Sequence, residues 1–256
     1  MKAILTVLGS GTSMGVPTLG CDCEVCTSSD PHDNRTRPSI LITYSGNDVL
    51  IDTTPDFRTQ ALREKLKKID AVFYTHAHAD HILGLDDLRP FSFKRPDKLP
   101  LYADEKTASS ITRMFGYTFD NLVTYATKAR VSMNILRGPV ELFGATFSPL
   151  KLIHGDHEIN GFRFGSAAYL TDFSAIPPES LEQLHGLDIL FLDALRHKPH
   201  PSHSNLENSL GLVAQISPRR AFFTHMSHDL AHEETNRSLP PHIRLSYDGL
   251  KLEFEI

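Results

Sequence analysis

Between residues 75 and 81 the chain reads Thr75-His76-Ala77-His78-Ala79-Asp80-His81, so three imidazoles and a carboxylate crowd together directly after the apolar stretch Ala71-Val72-Phe73-Tyr74. Any fold that contains this run has to bring those lone pairs to a common point, and the density predicts a metal site rather than a solvated turn. Side chains on an extended segment repeat every two residues, so His76 and His78 face one side and can share a cation. Asp80 and His81 follow where the chain should turn into a helix, and there they can face a second cation. The spacing therefore predicts two neighbouring metals.

A second ligand cluster is made of sulfur. All three cysteines lie in the run Cys21-Asp22-Cys23-Glu24-Val25-Cys26. An odd, crowded set is poor material for a disulfide framework and good material for a thiolate metal site. Tetrahedral zinc needs four ligands, so three thiolates require a distant histidine, with redox chemistry as the competing use.

Composition narrows the class of partner. At 256 residues, 40% apolar and 22% charged, the chain is an ordinary globular sequence with ample length for a buried core. A net charge of −5 argues against a broad phosphate-backbone footprint, which needs clustered Lys and Arg, so long nucleic acid is a disfavoured substrate. No stretch approaches the ~20 apolar residues of a membrane span, and the apolar run near Met1 is too short for a signal peptide. No membrane partner and a cytoplasmic location are expected. A homodimer is the expectation from the frequency of twofold assemblies alone.

Hydrophobic patterning predicts strands at 4–8, 39–44, 49–52, 71–74 and 99–103, and a series over 131–154 broken at Gly138-Pro139 and Phe143-Gly144. A strand pair spans 161–170, and further strands cover 188–193, 220–224, 243–246 and 251–255. Phe57, Ala61, Leu62 and Leu66 lie on one face of a predicted helix over 56–68, with other helices over 105–115, near 178–184 and over 205–216. No linker or repeat marks a boundary, so one α/β domain over 1–256 is expected, with a mixed rather than purely parallel sheet.

His and Asp recur at the ends of apolar strands: the 76–81 run, then His154 after Leu150-Lys151-Leu152-Ile153, Asp172 after Ala168-Tyr169-Leu170-Thr171, and His225 after Phe222-Phe223-Thr224. This order, His-x-His-x-Asp-His with a later His, an Asp and a final His, resembles the metallo-β-lactamase superfamily of hydrolases. Gly9-Ser10-Gly11-Thr12-Ser13-Met14-Gly15-Val16-Pro17, the Cys-x-Cys-x2-Cys loop, Thr224-His225-Met226-Ser227-His228 and Tyr247-Asp248-Gly249 are similar to its phosphodiesterase branch, typified by phosphoribosyl cyclic phosphodiesterase. The resemblance covers nearly the whole chain and implies an αββα sandwich, two mixed β-sheets flanked by helices.

Residue by residue, the resemblance implies that His76, His78 and His154 hold one metal, that Asp80, His81 and His225 hold the other, and that Asp172 bridges them. Imidazole and carboxylate oxygen suit Zn, Mn or Fe, and water bound to both ions becomes hydroxide near neutral pH. His157 competes for the third position, but His154 directly ends the apolar run and is preferred. Asp52, at another strand end, is expected to fix a ligand imidazole through its second nitrogen. Thr54 departs from the glycine common in relatives. In this branch His228 completes a closed zinc site with Cys21, Cys23 and Cys26, whose work is structural.

For the reaction, His203 in Pro201-Ser202-His203-Ser204-Asn205 aligns with the branch's histidine that protonates the departing alkoxide, a task suited to imidazole. His203 and the ligand Asp80 are the expected catalytic residues. The expected function is two-metal hydrolysis of a small, cyclic phosphodiester. The alternatives are a tRNA- or DNA-processing nuclease of the same superfamily and a metal-stabilised cofactor-biosynthesis or binding protein. Flavin-linked oxygen reduction is disfavoured because that branch replaces the second histidine with a carboxylate, whereas this chain keeps His78.

Overall fold

Strand sequences that are apolar on both faces require covers on both faces, and the chain meets that need with four layers. The computed structural model describes residues 1–120 and 127–256. Its strands are β1 (Lys2–Gly9), β2 (Ser39–Tyr44), β3 (Asn47–Ile51), β4 (Ala71–Phe73), β5 (Leu99–Ala103), β6 (Val131–Ile135) and β7 (Val140–Leu142). There follow β8 (Ala145–His154), β9 (His157–Phe164), β10 (Ala167–Leu170), β11 (Ile189–Asp193), β12 (Arg220–Thr224), β13 (Ile243–Leu245) and β14 (Lys251–Glu255). One sheet runs β14-β1-β2-β3-β4-β5-β6 and the other β13-β12-β11-β10-β9-β8-β7. Each is antiparallel in one half and parallel in the other, with β3 to β6 parallel in the first and β10 to β13 parallel in the second. This is the expected αββα arrangement of mixed sheets.

The period-2 geometry of a strand decides which residues go to which layer. Leu5 and Val7 of β1, Ile40 and Ile42 of β2, and Val49 and Ile51 of β3 face Phe147, Phe162, Tyr169 and Phe191 of the other sheet in a central apolar cluster. Their odd-register neighbours Leu8, Leu41, Leu50 and Val72 face outward under Phe57, Ile82, Leu85 and Ile111. On the other side Ala168, Leu170, Leu190 and Leu192 pack under Leu206, Val213 and Ile216 of the helix Leu206–Ile216. At about 25 cal/mol per Å² of apolar surface removed from water, each fully buried Leu, Ile or Phe stabilises the sandwich by roughly 1.5–3 kcal/mol.

One predicted element is shorter than expected. The helix over 56–68 is confined to Phe57–Arg63, because Lys65 takes a left-handed φ of 55° that ends the helical ladder. Leu62, expected on the buried face, is 62% exposed, whereas Phe57 and Ala61 are buried. Thr54 needs no glycine, since it does not take a positive φ, and its hydroxyl accepts the Asp56 N–H at 2.9 Å. Glycine is needed at Gly9: a Cβ there would lie 1.9 Å from the Arg37 carbonyl oxygen, so only a bare backbone passes between β1 and the loop before β2. Asp248 fixes the same region by accepting the Ser10 and Thr36 backbone N–H groups, each at 2.9 Å.

Candidate metal centre

Parallel strands that end at a common sheet edge converge their following loops, and ligand sites form there. β4 ends at Phe73, and the chain then runs extended past His76 and His78 before the short helix Ala79–Ile82 turns Asp80 and His81 inward. On the opposite sheet β8 ends on His154, β10 leads to Asp172, β11 ends on Asp193 and β12 leads to His225. Asp52, Asp172 and His225 take left-handed φ values of 65°, 61° and 59°. A non-glycine residue held there costs of order 1–3 kcal/mol, so the surrounding structure holds these three in place.

The side chains form two groups. His76, His78 and His154 bring one ligand atom each within 4.8 Å of one another, and Asp80, His81, Asp172 and His225 do the same. The Asp172 carboxylate lies 3.3 Å from His81 Nε2 and 3.0 Å from His225 Nε2, and it also groups with His154 and His203. It therefore stands between the two sets. His78 is exposed at the open side, whereas His76, Asp80, His81, His154, Asp172 and His225 are buried.

Hydrogen bonds behind the rings fix which nitrogen faces inward. His81 Nδ1 donates to Asp52 Oδ2 at 2.7 Å, and Asp52 also accepts the Thr75 N–H and hydroxyl, each at 2.8 Å. Since the Thr75 hydroxyl donates to Asp52, it accepts from His76 Nδ1 at 3.0 Å. His154 Nδ1 donates to the Ser202 carbonyl at 2.7 Å. Each ring thus turns Nε2 toward the centre.

Among the described residues, several buried inward atoms have no hydrogen-bond partner: His76 Nε2, His81 Nε2, His225 Nε2 and Asp80 Oδ2. A buried polar atom left unpaired costs about 1–3 kcal/mol, so their convergence fits divalent cations that would accept those lone pairs. The electrostatics agree. Burial opposes charge on His225, yet Asp172 and Asp80 outweigh it and raise its pKa to about 10. His81 is likewise held well above its ordinary value against burial by Asp80, Asp172 and Asp52. Burial opposes ionisation of Asp80 and Asp172 too, yet the histidines beside them keep both well below the usual carboxylate range. The pocket demands positive charge, and bound cations satisfy the same demand.

His203 sits on the rim of both groups. Its ring lies 4.7 Å from His154 and stacks nearly parallel on His225 at 4.9 Å between ring centres. Nδ1 donates to Asp193 Oδ2 at 2.9 Å, which leaves Nε2 free. Burial, and then the charge on His225, hold His203 down to about 4. Asp193 itself is fully buried, and that burial, together with Asp172, pushes its pKa well up although His225 opposes the shift. Sequence reasoning passed over Asp193. The available signal was the one that flagged Asp52, a carboxylate closing a wholly apolar strand. His154 lies in the first group, whereas His157, which pairs with it across the hairpin, is exposed and joins neither group.

The thiolates meet their distant histidine. His228 Nδ1 lies 3.2, 3.3 and 3.4 Å from the Sγ atoms of Cys21, Cys23 and Cys26. Bonds of about 2.3 Å to sulfur and 2.0–2.1 Å to nitrogen give a tetrahedral edge of roughly 3.5 Å, so the four atoms fit one zinc ion. The Cys26 N–H holds the Cys23 thiol down to about 6, while burial pushes Cys26 up to about 11. Met226, between His225 and His228, exchanges backbone bonds with Ser10 and Thr12, each at 3.0 Å. One short strand extension therefore ties both clusters to the N-terminal loop. Of the basic residues between 86 and 96, Arg89 pairs with Asp86 and Arg95 with Asp70.

Comparison with known proteins agrees with this architecture. A family model described as Beta-lactamase superfamily domain matches residues 47–226. The chain is 41% identical over 255 residues to an octanoyltransferase of Porphyromonas gingivalis, covering 98% of this chain and 51% of that protein. It thus spans about half of that relative's length. A solved structure described as a new diphosphatase from the PhnP family superposes with a TM-score of 0.94 at 62% identity, covering 99% of this chain and 98% of that one. Zn(2+)-bound PqqB from Methylobacterium extorquens shares the fold, with a TM-score of 0.79 at 20% identity over 97% and 99% of the two chains. The fold, the convergent ligand groups and these likenesses lead to one assignment: the chain belongs to the Beta-lactamase superfamily domain family, with the fold of the PhnP family.

Proposed function

We propose that the chain is a metal-dependent phosphodiesterase acting on small substrates, cyclic phosphodiesters in particular, with His203 as the proton donor. The observation that carries this reading is the position of His203: it touches members of both ligand groups, its Nδ1 is committed to buried Asp193, and its Nε2 is free. His76, His78 and His154 would hold one divalent cation and Asp80, His81 and His225 the other, with Asp172 between them and Asp52 behind His81. When bound, Zn, Mn or Fe supplies Lewis-acid charge and lowers the pKa of water toward neutrality. Asp193 orients the His203 ring, and Asp172 and Asp80 favour its charged form, so that Nε2–H points at the departing oxygen. An anionic phosphoryl group beside His203 offsets the repulsion from His225, so the proton arrives with the substrate. Cys21, Cys23, Cys26 and His228 would hold a separate, structural zinc. We read residues 1–256 as one domain, since a single apolar cluster fills the space between the sheets. Three cysteines without a disulfide suit the reducing cytoplasm.

A diphosphate substrate is the second reading, favoured by the description of the 62% identical structure as a diphosphatase. Both substrates present a phosphorus atom with two substituted and two nonbridging oxygens, and both need a proton or a charge at the leaving oxygen. The net charge of −5 weighs against a nuclease. The complete set of converging ligands weighs against a binding protein without hydrolysis. Octanoyl transfer has no counterpart in the residues described, and the protein so named is about twice as long. The test is a panel of a cyclic ribose phosphate, bis(p-nitrophenyl) phosphate, a dialkyl diphosphate, a thioester and a lactam, each assayed with defined Mn or Zn loading. The phosphorus substrates should turn over. Turnover confined to the thioester or lactam overturns the reading.

A further inference from the structure

We propose that Thr171 is a positioning residue of the metal centre: its hydroxyl sets the orientation of Asp172, the carboxylate that stands between the two ligand groups. This rests on the two-cation reading above. Three ligand segments are each preceded by a threonine at the end of an apolar run: Thr75 before His76, Thr171 before Asp172 and Thr224 before His225. All three threonines are fully buried. Valine has nearly the same shape and suits an apolar strand end, so a buried hydroxyl at such a place calls for a partner.

The three hydroxyls have different fates. That of Thr75 serves Asp52 and the His76 ring, behind the ligands. That of Thr224 has no hydrogen-bond partner among the described residues. That of Thr171 donates to Asp172 Oδ2 at 2.6 Å, so it alone of the three bonds a carboxylate within a ligand group. The distance is that of an O–H···O⁻ bond, about 2.5–2.7 Å, a class roughly twice as strong as bonds between neutral groups. The terminal torsion of an aspartate is soft, so an unheld carboxylate beside several imidazoles turns readily. With Oδ2 held by Thr171, Oδ1 lies 3.0 Å from His225 Nε2 and Oδ2 3.3 Å from His81 Nε2. Threonine suits the task because branching at Cβ restricts its own χ1. The backbone is pinned as well: Asp172 holds its left-handed φ of 61°, and the Ser174 N–H donates at 2.7 Å to the carbonyl of Ile153, the residue before His154. A carboxylate oriented in advance joins two cations without first being ordered, so Thr171 governs how well the second cation binds once the first is in place.

The experiment titrates the full chain with Mn and follows free and spin-coupled Mn by electron paramagnetic resonance, without substrate. Mn favours oxygen and nitrogen ligands and leaves the thiolate cluster aside. The unmodified protein should bind two Mn and show the signal of an exchange-coupled pair. Thr171→Val should bind the weaker Mn about 10–100-fold less tightly and lose much of the coupled signal. At saturating Mn its kcat on bis(p-nitrophenyl) phosphate should fall about tenfold with KM little changed. Thr171→Ala, a second variant without the hydroxyl, should match it, and Thr171→Ser should restore both readouts. Thr224→Val, which removes an equally buried hydroxyl that bonds nothing, should alter neither. Unmodified Mn affinity in Thr171→Val or Thr171→Ala overturns the role, as does a loss in Thr171→Ser or Thr224→Val equal to theirs. Failure of the unmodified protein to bind a second Mn overturns the two-cation reading together with this role, whereas Mn binding as expected without phosphodiester turnover overturns the substrate reading alone.

Discussion

The first sheet supplies its share of the metal centre from one short run after β4, whereas the second sheet supplies single residues from four strand ends, His154, Asp172, Asp193 and His225. Behind the ligands the two halves use the same device, a wholly buried carboxylate that closes a strand and fixes an imidazole through Nδ1. Asp52 fixes His81, at 2.7 Å, and Asp193 fixes His203, at 2.9 Å. The difference lies in what the fixed ring does. His81 belongs to a ligand group, while His203 stands on the rim with its Nε2 free, so on the proposed function the first half would hold cations and the second would join them and handle the proton. The comparison teaches that the centre is one local motif completed by scattered partners, and each half can be tested separately.

The largest effect is expected where the halves meet. Asp172→Ala removes the carboxylate that reaches both ligand groups, and kcat/KM should fall at least about 10³-fold with loss of bound metal by elemental analysis. Retained activity would mean that the two groups work independently. Next, His203→Ala should slow alkoxide departure about 10²–10³-fold but p-nitrophenolate departure far less, because a phenolate leaves without a proton. Equal losses would remove His203 from the proton step. The paired variants Asp52→Asn and Asp193→Asn should each cost about 10–100-fold, with different signatures. Asp52→Asn lowers metal content, whereas Asp193→Asn keeps the metals and flattens the alkoxide-to-phenolate contrast. Identical signatures would erase the division of labour.

The thiolate clasp should register in stability before activity. Cys26→Ser removes one of four ligands, and the loss of a few kcal/mol should lower Tm by about 10 °C, read by calorimetry with and without chelator. The smallest effect concerns His232, a buried ring 4.6 Å from His32, whose pKa is lowered to about 4 by burial and then by His32 and Arg35. As pH falls through 6.5 the unfolded chain gains a proton that the folded chain refuses until about pH 4. Folding therefore loses at most about 3 kcal/mol across that window and nothing above it. His232→Gln should remove that part of the acid sensitivity in urea titrations at pH 7 and pH 5, and an unchanged difference between the two pH values would count against it.

Much of this was legible in the chain because local rules carried it. Continuous apolar runs in β2 and β3, Ile40-Leu41-Ile42 and Val49-Leu50-Ile51, marked the strands, and the 76–81 run marked the first half of the centre without help from any partner. The failures were of range. The helix expected over 56–68 stops at Arg63 because Lys65 is left-handed, and whether a backbone adopts αL depends on what the following segment packs against. Asp193 carried no motif, since a strand-end aspartate is ordinary until a ring from another loop arrives 2.9 Å away.

By itself the sequence determined the α/β class with mixed strands, the crowded ligand run and the thiolate trio, because these depend on spacing within a few residues, while the sandwich entered through the family resemblance. Only the tertiary structure decided that His154 and not His157 faces the centre, that Asp193 is the partner of His203, and that a cleft opens beside that ring. Residues separated by tens or hundreds of positions meet through strand register and loop closure, and those are fixed by the burial of the whole apolar surface at once, not by any segment alone.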